Sequence, residues 1–262
     1  MLDFLVATSE TELLADMLWS LGVVAVEERE AVGDFVTLRT SLGEDHSFTR
    51  ELIEETFPNV TVSTAHVKRS VADTWRIHAA PTWITEHVVL CPAWVEAPKA
   101  EHVIRIEPAD TFGLGNHATT VLALRLGLQH CAPNSRVFDF GCGSGVLAIA
   151  MAKILECECF VFDIAHNAQE VVSVNHELNG VHTTWRGDCT NLSGDLVFAN
   201  ILAPVLISES DTIKDSVHDS GMIVLSGMRE DQVESVLLSY KDCVELTRET
   251  SEGWAAVILR KL

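Results

Sequence analysis

"VFDFGCGSG", Val137–Gly145, decides how the rest of the chain is read. An apolar, β-forming run enters three glycines at 141, 143 and 145, and the apolar stretch "VLAIAMAKIL" follows directly. The order is strand, glycine turn, helix. Glycine lets backbone come close to a ligand, and a helix start presents N–H groups that lack intrahelical partners. A dinucleotide fingerprint G-x-G-x-x-G would need a glycine at 146, which is Val146. The shorter spacing, with Asp139 two residues ahead of Gly141, points to another ligand or to a turn that only packs helix on strand.

Working outward, residues 101–262 alternate between the two element types. Strands are expected at 102–108, 136–141, 159–164, 181–187, 195–201, 221–227, 243–250 and 254–261, and helices at 118–130, 144–155, 166–179, 203–217 and 229–240. Such alternation predicts an α/β doubly wound sheet. The last two strands are separated only by a short turn at Glu252-Gly253, which predicts an antiparallel edge hairpin.

Residues 1–67 read differently, as β-α-β-β-α-β, the split ferredoxin-like pattern. The first helix, "SETELLADMLWSLG", has Ser9 as candidate N-cap with Glu12 three residues on. Leu13, Leu14, Met17, Leu18 and Leu21 would share one face, and Gly22 would end it. The second, "EDHSFTRELIEETF", stops before Pro58. Residues 68–100, with Trp75, Trp83 and Trp94 among Pro81, Pro92 and Pro98, read as a linker holding one short strand in "EHVVLCPAW".

Candidate site residues cluster after the strands. Asp163 ends "CFVFD", 22 residues beyond Gly141, where a carboxylate can accept both hydroxyls of a ribose. Asp188, in "GDC", follows the next strand, a place suited to adenine-edge contacts. Asn200, in "FANILAP", ends the strand on the other side of the glycine turn, where its side-chain oxygen can face an amine; a helix-start role would look similar. His117 reads either as a base or as a structural prop.

The spacing around Asp139–Gly145 resembles motif I of class I S-adenosylmethionine methyltransferases. Over the whole chain the resemblance is to the ribosomal protein L11 methyltransferase family, PrmA. The family pattern P-G-x-A-F-G-T-G-x-H-x-T-T meets "PADTFGLGNHATT" at Pro108, Phe112, Gly113, Gly115, His117, Thr119 and Thr120. An upstream pattern meets Trp75, Pro81, Cys91, Pro92 and Trp94, and "ANILAPVL" and "LSGMREDQ" match further segments in order. The resemblance implies a class I methyltransferase Rossmann-like domain of seven strands at 101–262 and a ferredoxin-like substrate-recognition domain at 1–67. It implies S-adenosylmethionine as cofactor, with Phe112, Gly113, Thr120, Gly141, Gly143, Asp163, Asp188 and Asn200 at the cofactor and Asn200 also at the acceptor amine. The implied substrate is a large-subunit ribosomal protein, methylated on lysine ε-amines and its N-terminal α-amine. Alternatives are an N-methyltransferase for another protein or a small-molecule amine, and a non-catalytic cofactor-binding or assembly protein. The chain departs from the family at Ala109, Thr111, Leu114 and Ala165.

Composition bounds the partners. Against 38 acidic residues stand 18 Lys and Arg, a formal net charge of −20, which disfavours direct nucleic-acid binding and favours a cationic partner. No stretch reaches the roughly 18 apolar residues of a membrane span, and the N-terminus lacks the basic start of a signal peptide, so a cytoplasmic protein is expected; it is also expected to be a monomer. The seven cysteines are odd in number and lack CxxC spacing, and Cys157-x-Cys159 alone cannot close a zinc site. Reduced thiols and no metal are expected.

Overall fold

The computed structural model describes residues 1–20, 23, 26–29, 31–40, 50, 53–54, 56–64, 79–107, 115–165, 167–188 and 193–262. These divide into two compact units, Met1–His78 and Ala79–Leu262.

In the first unit, β1 (Leu2–Ala7), β2 (Glu27–Glu28), β3 (Phe35–Thr40) and β4 (Thr61–Thr64) form an antiparallel sheet in the order β2-β3-β1-β4. Period-two alternation buries Leu2, Phe4 and Val6 of β1 and Val36 and Leu38 of β3. They pack with Leu14 and Leu18 of α1 (Thr11–Ser20) and with Ile53 and Phe57. Across the β1–β3 pair, Arg39 grips Asp3 with two hydrogen bonds of 2.6 and 2.7 Å and holds its carboxyl below the usual range. Two local expectations fail. A 3-10 turn at Thr8–Glu10 precedes α1, so Ser9 lies inside a turn rather than at a helix cap. Leu13 is 65% exposed, off the face that Leu14 and Leu18 bury. Leu21, Gly22 and most of the second expected helix lie outside the described residues.

In the second unit, β5 (Thr82–Trp83), β6 (Val88–Pro92) and β7 (His102–Ile106) make a small sheet, with β6 and β7 parallel. The stretch 102–108 therefore supplies a strand, but outside the large sheet. The reason lies in a helix, α4 (Ala168–Asn179). Its Asn179 side chain bonds the backbone N–H and C=O of Arg105 at 2.9 and 2.6 Å. Its Asn175 does the same to Glu107 at 2.8 and 3.0 Å. Two amides one helical turn apart thus satisfy the β7 edge in place of a neighbouring strand.

The large sheet comprises β8 (Arg136–Phe140), β9 (Glu158–Phe162), β10 (Thr184–Trp185), β11 (Gly194–Asn200), β12 (Val217–Arg229), β13 (Cys243–Ser251) and β14 (Trp254–Lys261). Its order is β10-β9-β8-β11-β12-β14-β13, parallel except where β14 runs antiparallel to β12 and β13. Alternate residues feed two cores. Val137, Phe198, Val224 and Ile258 join α2 (Ala118–His130) and α3 (Val146–Leu155) on one face. Phe138, Val197, Ile223 and Val257 face α5 (Ala203–Ser208), α6 (Ser210–Asp215) and α7 (Val233–Leu237) on the other. Helices on both faces explain the near-continuous apolar runs of β8, β11, β12 and β14. Ile84, Val88, Leu90, Ile104 and Ile106 belong to the first of these cores, so residues from Ala79 onward are part of this unit.

Three other elements differ from expectation. The helix at 203–217 is two helices parted at Glu209, and its last residue opens β12. Residues 229–240 form a 3-10 turn, 230–232, followed by the short α7. Only Thr184–Trp185 of 181–187 pairs as strand, because β10 is an edge strand bonded to β9 alone. Among the described residues no helix is long and apolar enough to cross a membrane.

Candidate active site

β8 sits at the point where the sheet reverses its strand order, with β9 on one side and β11 on the other. Such a switch point opens a crevice beyond the carboxyl ends of the strands. The glycine turn occupies it. Gly141 has φ +75° and a Cβ there would stand 2.5 Å from Ile201 Cγ2, so both conformation and space demand glycine. The Gly141 and Cys142 N–H groups bond Phe162 C=O at 2.9 and 3.0 Å, tying the turn to the end of β9.

Asp163, the next residue after β9, closes the same edge. Its Oδ2 accepts the Gly143 N–H and its Oδ1 the Ala165 N–H, each at 2.8 Å. An ionised carboxylate has about four acceptor positions, so two remain for a ligand. Beneath the turn lies Asp139, buried, accepting the Ala148 N–H of α3 at 3.3 Å. Burial pushes its pKa up to about 7 against the help of that N–H, and the charge of Asp163 adds to the rise. It marks the interior of the turn as a poor place for a charge.

Across the crevice, Asn200 ends β11. Its Nδ2 donates to Thr120 Oγ1 at 3.4 Å, and Thr120 is 1% exposed in the first turn of α2. The Oδ1 of Asn200 is buried and has no hydrogen-bond partner among the described residues. A buried orphan acceptor costs about 1–3 kcal/mol, so its retention asks for a donor from outside. The frame around it is tight. Ser226, paired in register with Asn200, donates to Thr119 C=O at 3.1 Å, and Ile201 N–H bonds Ser226 C=O at 3.1 Å.

His117 caps α2. Its Nδ1 faces Thr119 Oγ1 at 2.8 Å and accepts the Thr119 N–H at 3.4 Å. Its ring meets Trp254 edge-on with centroids 4.8 Å apart, and Arg229 stacks on Trp254 at 4.6 Å. Burial lowers its pKa, which favours the neutral ring that a cap requires. These contacts give it a structural role at the start of α2.

The structure thus brings Thr120 and Asn200 together, and Gly141, Gly143 and Asp163 together, along one edge of the sheet. Asp188 lies exposed in the turn after β10, on the same edge. Phe112 and Gly113, with the departures Ala109, Thr111 and Leu114, lie outside the described residues. Sequence reading missed Asn175, which donates to Ser144 C=O of the glycine turn at 2.9 Å as well as clasping Glu107. Its i, i+4 spacing from Asn179 was the available signal.

A largely parallel sheet closed by an antiparallel β14, with a glycine turn at its switch point and a carboxylate after the neighbouring strand, is the layout that α/β methyltransferases share with other nucleotide-binding folds. A solved structure described as ribosomal protein L11 methylase, from Lactobacillus delbrueckii subsp. bulgaricus, has the same fold: TM-score 0.64 at 23% identity, over 70% of this chain and 99% of that one. The family model described as Ribosomal protein L11 methyltransferase (PrmA) matches residues 10–262. A protein of that name from Ralstonia nicotianae is 31% identical over 96% of this chain and 95% of its own length. Another, from Idiomarina loihiensis, is 37% identical over 69% of this chain. The chain belongs to the ribosomal protein L11 methyltransferase family.

Proposed function

We propose that the chain transfers methyl groups from S-adenosylmethionine to lysine ε-amines and the N-terminal α-amine of ribosomal protein L11. The observation that carries the reading is the orphaned, buried Oδ1 of Asn200, set across the crevice from Gly141, where a Cβ would stand 2.5 Å from Ile201 Cγ2. The residues present suit the cofactor. Gly141 and Gly143 leave backbone bare for close approach, and Asp163 keeps acceptor positions for two ribose hydroxyls. Phe112, Gly113, Thr120 and Asp188 complete the proposed cofactor set. When bound, S-adenosylmethionine supplies an electrophilic methyl group on a sulfonium.

The chain's own part is to position the acceptor. A neutral amine offers N–H donors and one lone pair. Asn200 Oδ1 accepts one N–H, which turns the lone pair to a fixed direction, while Thr120 holds the Asn200 amide from behind. A neutral amide also gives an ammonium ion no counter-charge, so the uncharged amine is the form that fits. The net charge of −20 suits a basic protein substrate. For the front residues, 1–67, the sheet order β2-β3-β1-β4 supports a ferredoxin-like unit that captures the substrate, preceding a catalytic unit that begins at Ala79.

Intact-mass analysis of L11 after incubation with enzyme and saturating cofactor tests the reading. Gains in steps of about 14 Da, one per methyl group, are expected. An unchanged mass in the presence of folded enzyme overturns it.

A further inference from the structure

The end of the sheet opposite the site holds a second set of reactive groups. A cleft of about 210 Å³ lies there, lined by Cys131, Ser135, Asp195 and His218 among others. Cys131 directly follows the last residue of α2, and it is partly exposed. Its Sγ stands 4.0 Å from the Sγ of Cys157, two residues past the end of α3 and only 5% exposed.

We propose that Cys131 and Cys157 form a peroxide-oxidisable dithiol, a modification site that closes reversibly into a disulfide joining the ends of α2 and α3. The geometry divides the roles. Cys131 lines the cleft and is partly exposed, so it is the attacking sulfur; Cys157, only 5% exposed, is the resolving one. Electrostatics agree with the division: with Cys157 as the donor of the S–H···S contact, that contact favours the Cys131 thiolate, Ser135 adds a second bond, and burial and Asp195 oppose both. The same contact raises the Cys157 thiol, which keeps its proton. Thiolate character with exposure is what selects a cysteine for oxidation.

The balance closes with hydrogen peroxide as the oxidant. Cys131 sulfur attacks one peroxide oxygen, the O–O bond breaks, and the other oxygen leaves as water with the proton released by the thiol. Cys157 sulfur then attacks the sulfenic sulfur, the S–O bond breaks, and hydroxide leaves with the Cys157 proton as a second water. Two thiols are oxidised and one peroxide reduced. The sulfurs must close from 4.0 Å to about 2.05 Å. The cross-link staples the far ends of the two helices whose near ends carry Thr120 and the glycine turn.

Cys243 is an internal control, also partly exposed, but with its thiol raised by burial and by Asp242. Full-length protein treated with a few equivalents of hydrogen peroxide, then mapped by non-reducing peptide mass analysis, is the test. Expected are a loss of about 2 Da per chain, a Cys131–Cys157 linked peptide, reversal by dithiothreitol, and a melting temperature higher by about 5–10 °C. Cys131→Ser should abolish the loss and Cys243→Ser leave it intact. Cys157→Ala should halt the reaction at a sulfenic acid that dimedone traps on Cys131. A link through Cys159 or Cys189, no mass loss, or direct passage of Cys131 to sulfinic acid with Cys157 reduced would each overturn the proposal.

Discussion

Replacing Asn200 by alanine separates a functional amide from a structural one. Its Nδ2 makes one long bond, 3.4 Å to Thr120, worth at most about 1 kcal/mol at that distance. Its Oδ1 is buried without a partner among the described residues and costs about 1–3 kcal/mol. Truncation removes both, together with a little packing, so the changes nearly cancel and stability moves by about 1 kcal/mol or less in either direction. For a chain of this size that is a shift of about 3 °C or less in melting temperature. Methyl transfer should fall by about 10²–10³-fold, the usual loss when one oriented polar group at the reacting centre is removed. Thermal unfolding followed by fluorescence, beside transfer of labelled methyl to L11, reads both quantities on one preparation. A melting temperature lower by many degrees with transfer intact would refute the assignment, because Asn200 would then be a structural strut whose oxygen has a partner in solution.

Gly141→Ala should destabilise by about 1–3 kcal/mol and weaken cofactor binding at least tenfold, from the φ of +75° and the 2.5 Å approach to Ile201 Cγ2. Adding Ile201→Ala removes that carbon and should restore part of the stability; calorimetric titration and melting curves that show no recovery would contradict the steric reading. Asn175→Ala and Asn179→Ala each strip the β7 edge, yet only Asn175 also bonds the glycine turn at Ser144. Both should lower the melting temperature by several degrees, while only Asn175→Ala raises the KM for cofactor more than it lowers kcat; equal KM effects would remove the link to the turn. The His218–Asp195 pair, 3.0 Å apart, raises the His218 pKa through the bond to Asp195 and lowers that of Asp195 through the Arg136 N–H and His218. Stabilisation from the histidine is complete below its ordinary value and lost as pH rises through the raised one. That from the aspartate is lost as pH falls through the lowered one. His218→Ala should therefore cost stability near pH 5.5 and almost none near pH 8.5, and by well under 1 kcal/mol, since both side chains are about half exposed. A larger loss at the alkaline end in urea titrations would reverse the sign.

Local pattern carried much of the fold. Ala118–His130 and Trp254–Lys261 appear with the bounds that periodicity and turn residues predict, because apolar spacing and a Glu252-Gly253 turn are properties of adjacent residues. The long apolar runs of the parallel strands were legible for the same reason. Where elements were short, pattern overreached: 203–217 is apolar enough for one helix, but the chain breaks at Glu209 to reach β12.

By itself the sequence determined the order of strands and helices, the glycine turn at 141–145, the carboxylate ending β9 and, through its motifs, the family. Only the tertiary structure decided what these residues do to one another. It placed Thr120 against Asn200 across 80 residues and left the Asn200 oxygen without a partner among the described residues. It turned two asparagines into the edge of β7, and set Cys131 beside Cys157 across 26 residues. Periodicity records which face of an element is apolar, and polar contacts between elements leave no period. A polar pair forms only where packing has already excluded water and fixed the distance, and that is a property of the folded chain.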